Sequence, residues 1–287
     1  MTHSPSAARL SDRRPLYRSV FISDTHLGTR GCRSDFLADF LRNTSCRQLY
    51  LVGDIIDGWR LRRSWYWDAQ HDEVLRLILR HARAGTEVTY IPGNHDEMFR
   101  AWVDPAMPGG LEIAGIRLAA EAVHVTAAGT RLLVIHGDAF DSVVRYAKFL
   151  ALLGDGAYAA ALVANRWFNA ARRRLGYPYW SLSAWLKRQV KEAVKAIDRF
   201  ETALAAEARR RGLDGVVCGH IHHAEMRDVG GVLYINDGDW VESCTALVEH
   251  HDGRLELIDW AALRGFSFAD PRGARTDPRG LGVSAPA

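Results

Sequence analysis

Residues 17–28, YRSVFISDTHLG, decide how the chain folds. Val20-Phe21-Ile22 is a continuous apolar run rather than an alternating one, the pattern of a strand covered on both faces. It breaks at once into Ser23-Asp24-Thr25-His26, where two side chains can bind a metal. The same sequence of events recurs in LYLVGD (49–54), in VTYIP (88–92) running into Gly93-Asn94-His95-Asp96, and from Arg131 to His136. Four strands are therefore expected near Ser19–Ser23, Gln48–Gly53, Glu87–Pro92 and Arg131–His136. Between them, Arg33–Thr44 and Ala69–Ala84 carry helical spacing, the second with Val74, Leu75, Ile78 and Leu79 on one face and Gly85 as its stop. Further on, Gly215–Cys218, Val232–Asn236 and Cys244–His250 read as strands, and Gly230-Gly231 marks a hairpin turn, so the α/β sheet becomes mixed.

The composition admits this reading and excludes others. Of 287 residues, 48% are hydrophobic and 25% charged, which rules out a disordered, collagenous or coiled-coil chain. No run of about 18 uncharged apolar residues exists, so a transmembrane helix is not expected. Cys32, Cys46, Cys218 and Cys244 are far apart with no C-x-x-C spacing, which suggests neither a disulfide framework nor a thiolate zinc site and fits reduced thiols in a cytoplasm. The first residues carry Arg9, Arg13 and Arg14 without an apolar core, unlike a secretory signal. The expected organisation is a flexible tail at 1–16, one domain over 17–266, and a Pro-, Gly- and Arg-rich tail at 267–287.

Inside that domain a helical insertion is expected at about 143–211, as Val143–Arg174 and Ser183–Arg211 broken by Gly176-Tyr177-Pro178. Residues 139–211 hold 14 Lys plus Arg against six Asp plus Glu, a charge of +8 in a chain whose total is +3. The remainder is thus acidic. The same segment holds 11 of the 28 aromatic residues, and basic plus aromatic composition suits an anionic partner.

The chemistry sits at the strand ends. Asp24 and His26 follow the first strand, Asp54 the second, Asn94, His95 and Asp96 the third, His136 the fourth, and His220 with His222 the fifth. In open α/β sheets ligands collect at the carboxyl ends of strands, so these five ends should converge. Carboxylate, imidazole and amide oxygen together suit divalent manganese, iron or zinc better than the all-oxygen shells of calcium or magnesium. Two such ions about 4 Å apart activate water and offset the charge that develops in phosphoryl transfer. Taken alone, Asp24 can cap a turn, His26 can be a hydrogen-bonded loop residue, and Gly-Asn-His-Asp can be turn chemistry. All five motifs in one order favour a single site. His71, His81, His223, His250 and His251 lie outside the motifs and read as packed or solvated residues.

This series, Asp24-x-His26, Gly53-Asp54, Gly93-Asn94-His95-Asp96, His136 and Gly219-His220-x-His222, resembles the calcineurin-like metallophosphoesterase superfamily over about residues 17–260. The resemblance implies a two-sheet metallophosphoesterase sandwich flanked by helices, here with a helical lid insertion. It also implies that Asp24, His26, Asp54 and His222 surround one metal and Asp54, Asn94, His136 and His220 the other. Asp54 would bridge them, and His95 would contact the phosphoryl group without binding metal.

Within the superfamily, the insertion and the early SDTHLG are similar to the UDP-2,3-diacylglucosamine pyrophosphatases of lipid A synthesis. That likeness implies a cytoplasmic enzyme, peripheral on the inner membrane, which uses manganese (iron and zinc being alternatives) to release UMP and an acyl sugar phosphate. Acyl chains need an apolar cleft and the head group needs cations, and interfacial binding combines Trp with Lys and Arg. Tyr146, Trp180 and Trp185 are the expected cleft residues, with Asn94 and Arg60 as further substrate contacts.

Members of that family carry Arg where this chain has His95, and the turn Asp57-Gly58-Trp59-Arg60 also departs from their pattern. Pyrophosphate cleavage expels a good leaving group, for which a fixed cation suffices. A diester or monoester gains more from a general acid, and His95 held by Asp57 can supply the proton. A phosphodiesterase or phosphatase acting on a nucleotide or phospholipid head group is thus the alternative. A catalytically silent binding protein with a basic lid is the third reading, which the complete motif set disfavours. Nucleic acid is not an expected partner, since the triplets Arg172–Arg174 and Arg209–Arg211 at helix ends suit the helix dipole or solvent.

Overall fold

The computed structural model describes residues 16–103, 111–140, 167–169, 172–177 and 181–266. Two mixed sheets face each other. The first has seven strands in the order β12-β11-β1-β2-β3-β5-β4, formed by β1 (Leu16–Ile22), β2 (Ser45–Val52), β3 (Glu87–Ile91), β4 (Leu111–Ile113), β5 (Ile116–Leu118), β11 (Thr245–Glu249) and β12 (Leu255–Asp259). The second has five in the order β6-β7-β8-β10-β9, formed by β6 (Ala122–Val125), β7 (Arg131–Val134), β8 (Gly215–Cys218), β9 (Glu225–Asp228) and β10 (Leu233–Asn236).

The strand period of two explains why the apolar runs are continuous. In β1, Val20 and Ile22 pack outward under helices while Phe21 packs inward between the sheets. Leu49 and Leu51 of β2 likewise face the helices, and Tyr50 and Val52 the sandwich interior. The second sheet repeats this, with Leu132, Val134 and Val217 inside and Leu133, Val216 and Cys218 outside. Both faces of each central strand are dry, so no polar residue alternates.

The outer face of the first sheet is covered by α1 (Ser34–Asn43) and α3 (Ala69–Arg83). Asp68 caps α3 by accepting from the Gln70 and His71 backbone N–H groups. The outer face of the second sheet is covered by α4 (Leu182–Arg210), whose Ala196, Phe200, Leu204 and Ala208 recur every four residues and pack on Leu133, Val216 and Tyr234. Glu201 of α4, itself buried, pairs with Arg227 of β9. Two short helices, α2 (Gly58–Arg63) and α5 (Trp260–Leu263), complete the described elements used below.

The expected central strands and the helices α1 and α3 fall within a few residues of their sequence positions. Leu16, expected in the tail, instead opens β1. The remaining tail residues, 1–15 and 267–287, lie outside the described residues, as do 141–166, which contain most of the first expected insertion helix. The break is present as a turn at Leu175–Gly176, with Gly176 at φ +74°. No helix among the described residues is long and apolar enough to cross a membrane. All four cysteines are free and buried.

Candidate metal centre at the strand ends

Five parallel-running strands deliver their C-terminal ends to one place. β1, β2 and β3 are parallel neighbours in the first sheet, and β7 and β8 are parallel neighbours in the second. The chain must turn sharply there, and Asp24, His26, Asp54, His220 and His222 all adopt positive φ between 49° and 73°. Left-handed backbone is uncommon for such residues and concentrates where side chains are held for function. Close approach also requires glycine beside them. A Cβ on Gly53 would lie 2.2 Å from His136 Nδ1, and one on Gly219 would lie 2.3 Å from Asp24 Oδ2.

Each aspartate separates the work of its two oxygens. Asp54 Oδ1 accepts the His95 backbone N–H at 2.8 Å, and Asp24 Oδ2 accepts the His220 backbone N–H at 2.7 Å. The other oxygens meet imidazoles. Asp24 Oδ1 is 3.2 Å from His222 Nε2, and Asp54 Oδ2 is 3.4 Å from His136 Nε2 and 3.9 Å from His26 Nε2. Asp24, His26 and His222 form one group able to hold a metal and Asp54, His136 and His220 another, while His26, Asp54 and His95 form a third that shares a residue with each, the ligand atoms in every group lying within 4.8 Å of one another. Asp54 Oδ2 stands between His26 of the first group and His136 of the second.

The imidazoles are oriented from behind. His136 Nδ1 donates to Val52 O at 2.9 Å, which turns Nε2 toward the centre, and His26 Nδ1 bonds Asp57 Oδ2 at 3.2 Å to the same effect. These tautomers follow from the partners. A divalent cation fits this constellation by a direct criterion: buried Asn94 Oδ1 has no hydrogen-bond partner among the described residues, and Asp24 Oδ1 and His136 Nε2 make the ion-pair contacts just given but no hydrogen bond of good geometry. Electrostatics agree. Burial opposes charge on His136 and His222, yet Asp54 pushes the His136 pKa up to about 10 and Asp24 pushes that of His222 up to about 9. The carboxyls of Asp24 and Asp54, despite burial, are held below their ordinary range by the same histidines. Such a centre attracts positive charge.

Asp57 serves three partners. Its Oδ2 bonds His26 Nδ1 and lies 3.0 Å from His95 Nδ1, while its Oδ1 caps α2 through the Arg60 backbone N–H at 2.8 Å. Burial opposes ionisation, but the two histidines and that N–H hold the Asp57 carboxyl well below the usual range. The His95 ring lies edge-on to His26, with centroids 4.6 Å apart, and Trp59 covers it at 4.5 Å. Trp59 Nε1 in turn donates to Glu97 at 3.1 Å.

Not every expected site residue joins this cluster. Arg60 is exposed on α2, and its contact to Asp57 is made by its backbone. Trp185 is exposed near the start of α4. Tyr146 and Trp180 lie outside the described residues. Other contributors act from behind the cluster. Asp96 braces the site by accepting the Gly93 N–H at 2.5 Å, the Ile55 N–H at 2.8 Å and the Tyr90 hydroxyl at 2.5 Å, which ties the ends of β2 and β3 together. Asn236 donates to Gly219 O at 2.6 Å, and Ser23 touches Asp237. The strand end YINDGDW (234–240) repeats the apolar-then-acidic pattern of the other strands, although nothing in it points to Ser23 or Gly219 as partners.

Two sheets with acidic and imidazole side chains converging at their strand ends define a metal-dependent phosphoesterase, a hydrolase that uses divalent ions. The chain belongs to the calcineurin-like phosphoesterase family, whose model matches residues 17–224. A DNA polymerase II small subunit from Methanothermobacter thermautotrophicus is 27% identical over 165 residues, which span 48% of this chain and 34% of that protein. The match thus covers about a third of that relative's length. Among solved structures, wild-type Vps29 complexed with zinc from Entamoeba histolytica is 13% identical with a TM-score of 0.39, covering 84% of this chain and 98% of that one. Phosphopantetheinyl hydrolase from Mycobacterium tuberculosis is 15% identical with a TM-score of 0.37, covering 78% and 90% respectively.

Proposed function

We propose that the protein is a two-metal hydrolase that cleaves the pyrophosphate of a UDP-diacylglucosamine-like lipid precursor into UMP and an acyl sugar phosphate. The observation that carries the chemistry is Asp54 Oδ2 lying between His26 and His136, the arrangement a carboxylate needs to serve two ions. Asp24, His26, Asp54 and His222 would hold one ion and Asp54, Asn94, His136 and His220 the other, with manganese as the proposed metal. Bound ions supply water activation and neutralise charge at phosphorus.

The side chains do the rest. Asp57 orients His95 through Nδ1, which makes Nε2 the atom that passes a proton to the leaving oxygen. Asn94, at the end of β3, helps to orient the phosphoryl group. Because His95 stands where the pyrophosphatases carry Arg, esters with poorer leaving groups are expected as additional substrates. The lipid specificity is supported by the sequence resemblance and by the basic, aromatic segment that enters the fold between β7 and α4. Exposed Trp167 and Phe168 belong to that segment and exposed Trp185 to the start of α4, and all three suit an acyl chain or the cytoplasmic face of a membrane.

A manganese-supplemented assay with UDP-2,3-diacylglucosamine beside bis-p-nitrophenyl phosphate tests the proposal. UMP release much faster than diester hydrolysis supports it. Hydrolysis of the diester alone would refute the lipid specificity and leave the phosphoesterase chemistry standing.

A further inference from the structure

Behind the metal centre lies a buried group that the chemistry above does not use. Ser23 Oγ is 2.6 Å from Asp24 Oδ2 and also 2.6 Å from Asp237 Oδ1, at the end of β10, with Gly238 O a third acceptor at 3.1 Å. Both carboxylate distances are those of good O–H···O hydrogen bonds. A serine hydroxyl owns a single proton and cannot donate to both. One of the two carboxyl groups must therefore carry a proton of its own.

The surroundings say which. Asp24 Oδ2 also accepts the His220 backbone N–H at 2.7 Å, a bond that favours the ionised form. Asp237 is fully buried, and its Oδ2 has no hydrogen-bond partner among the described residues, a setting in which a bare carboxylate is costly. Burial raises the Asp237 pKa well above the ordinary value; the Ser23 hydroxyl opposes that shift and the charge of Asp24 adds to it.

We propose that Asp237 and Ser23 are positioning residues for the metal centre: neutral Asp237 donates to Ser23 Oγ, Ser23 donates to Asp24 Oδ2, and the relay holds the Asp24 carboxylate with Oδ1 facing the metal. Ser23 and Asp237 are 214 residues apart, and only the fold brings them together. The geometry gives β10, which contributes no metal ligand, a function at the site. The proposal rests on the reading of Asp24 as a ligand.

The test compares manganese affinity, by calorimetry on metal-stripped full-length protein, in Ser23→Ala, Asp237→Ala, Asp237→Asn and Asp24→Ala. Ser23→Ala and Asp237→Ala should each weaken binding by about 10- to 100-fold, the usual effect of losing a group that orients a ligand. Asp237→Asn should restore most of that loss, because its amide N–H donates to Ser23 as the acid proton does. Wild-type protein should also show the infrared carbonyl band of a protonated carboxylic acid, absent from Asp237→Asn. An Asp237→Asn protein as weak as Asp237→Ala, or wild-type affinity in both Ala variants, would overturn the proposal. If Asp237→Ala does not fold, as judged by its melting temperature without metal, Ser23→Ala and the infrared band decide. Retained affinity in Asp24→Ala would instead show that the ligand reading itself had failed.

Discussion

Asp54 touches both metal groups, with one oxygen fixed by the His95 backbone and the other facing His26 of one group and His136 of the other. Asp54→Ala should lose metal content and lower kcat by roughly 10³-fold or more, since several kcal/mol of charge stabilisation disappear with the ions. Elemental analysis beside a steady-state assay checks both parts. His95 should behave differently. Its ring contacts Asp57 and Trp59, so His95→Ala should keep the metal while kcat falls by about 10²- to 10⁴-fold, the range for a lost proton donor. Parallel loss of metal and rate in His95→Ala would make it a ligand instead.

At the scale of elements, α4 is seated by Phe200, which packs behind His220 with ring centroids 6.1 Å apart and is fully buried. Phe200→Ala should destabilise the fold by about 3–5 kcal/mol, measured by urea unfolding, because the cavity opens against β8. A second element-level device joins the two sheets away from the metal centre. Glu249 of β11 accepts from Ser19 of β1 at 2.8 Å, from Arg18 at 2.7 Å, from the Ala127 N–H at 2.7 Å and from His124 of β6 at 2.8 Å. Burial disfavours its charge, but these donors hold the Glu249 carboxyl below the usual glutamate value, while burial lowers the pKa of His124.

Both shifts mean that the unfolded chain binds more protons, so stability must fall with falling pH. The loss should begin below about pH 6.5 as unfolded His124 protonates and deepen below about pH 4.5 through Glu249. Glu249→Gln should cost on the order of 2–3 kcal/mol at pH 7 and flatten this acid limb, which urea melts at pH 7 and pH 4 would reveal. An unchanged acid limb would contradict the account.

The same scale shows what the sequence carries and what it conceals. Central strands such as β1 and β2 were legible because burial on both faces removes polar alternation from their sequence. The strands β4, β5 and β6, at or next to a sheet edge, are three or four residues long with Ile113, Val123 and Val125 exposed, so no apolar run announces them. Helix α2, GWRLRR, lacks an apolar period and depends on the Asp57 cap. In the site, the Asp, His and Asn motifs were readable because each directly follows a strand. The roles of Ser23, Asp96 and Asp237 were not, since they arise from hydrogen bonds across long stretches of chain.

Over the whole molecule, the family assignment and the convergence of five strand ends put the candidate ligands on a double sheet that has its own apolar core. Metal bound to the folded chain and not to the unfolded one should stabilise the fold. Manganese at a hundredfold excess over its Kd should add about 2.7 kcal/mol to the unfolding free energy of wild-type protein and almost nothing to Asp54→Ala. On the proposed lipid reading, Trp185→Ala and Trp180→Ala should raise KM for acylated substrate more than for p-nitrophenyl esters. Equal changes for both substrates would count against a lipid cleft.

The central claim, that Asp54 bridges two divalent ions at the strand ends, is tested most directly by anomalous diffraction from crystals soaked in manganese. Two peaks should appear roughly 3.5–4 Å apart, one beside Asp24, His26 and His222 and one beside Asn94, His136 and His220, with Asp54 between them. A single peak away from Asp54, or no peak at these residues, would contradict it.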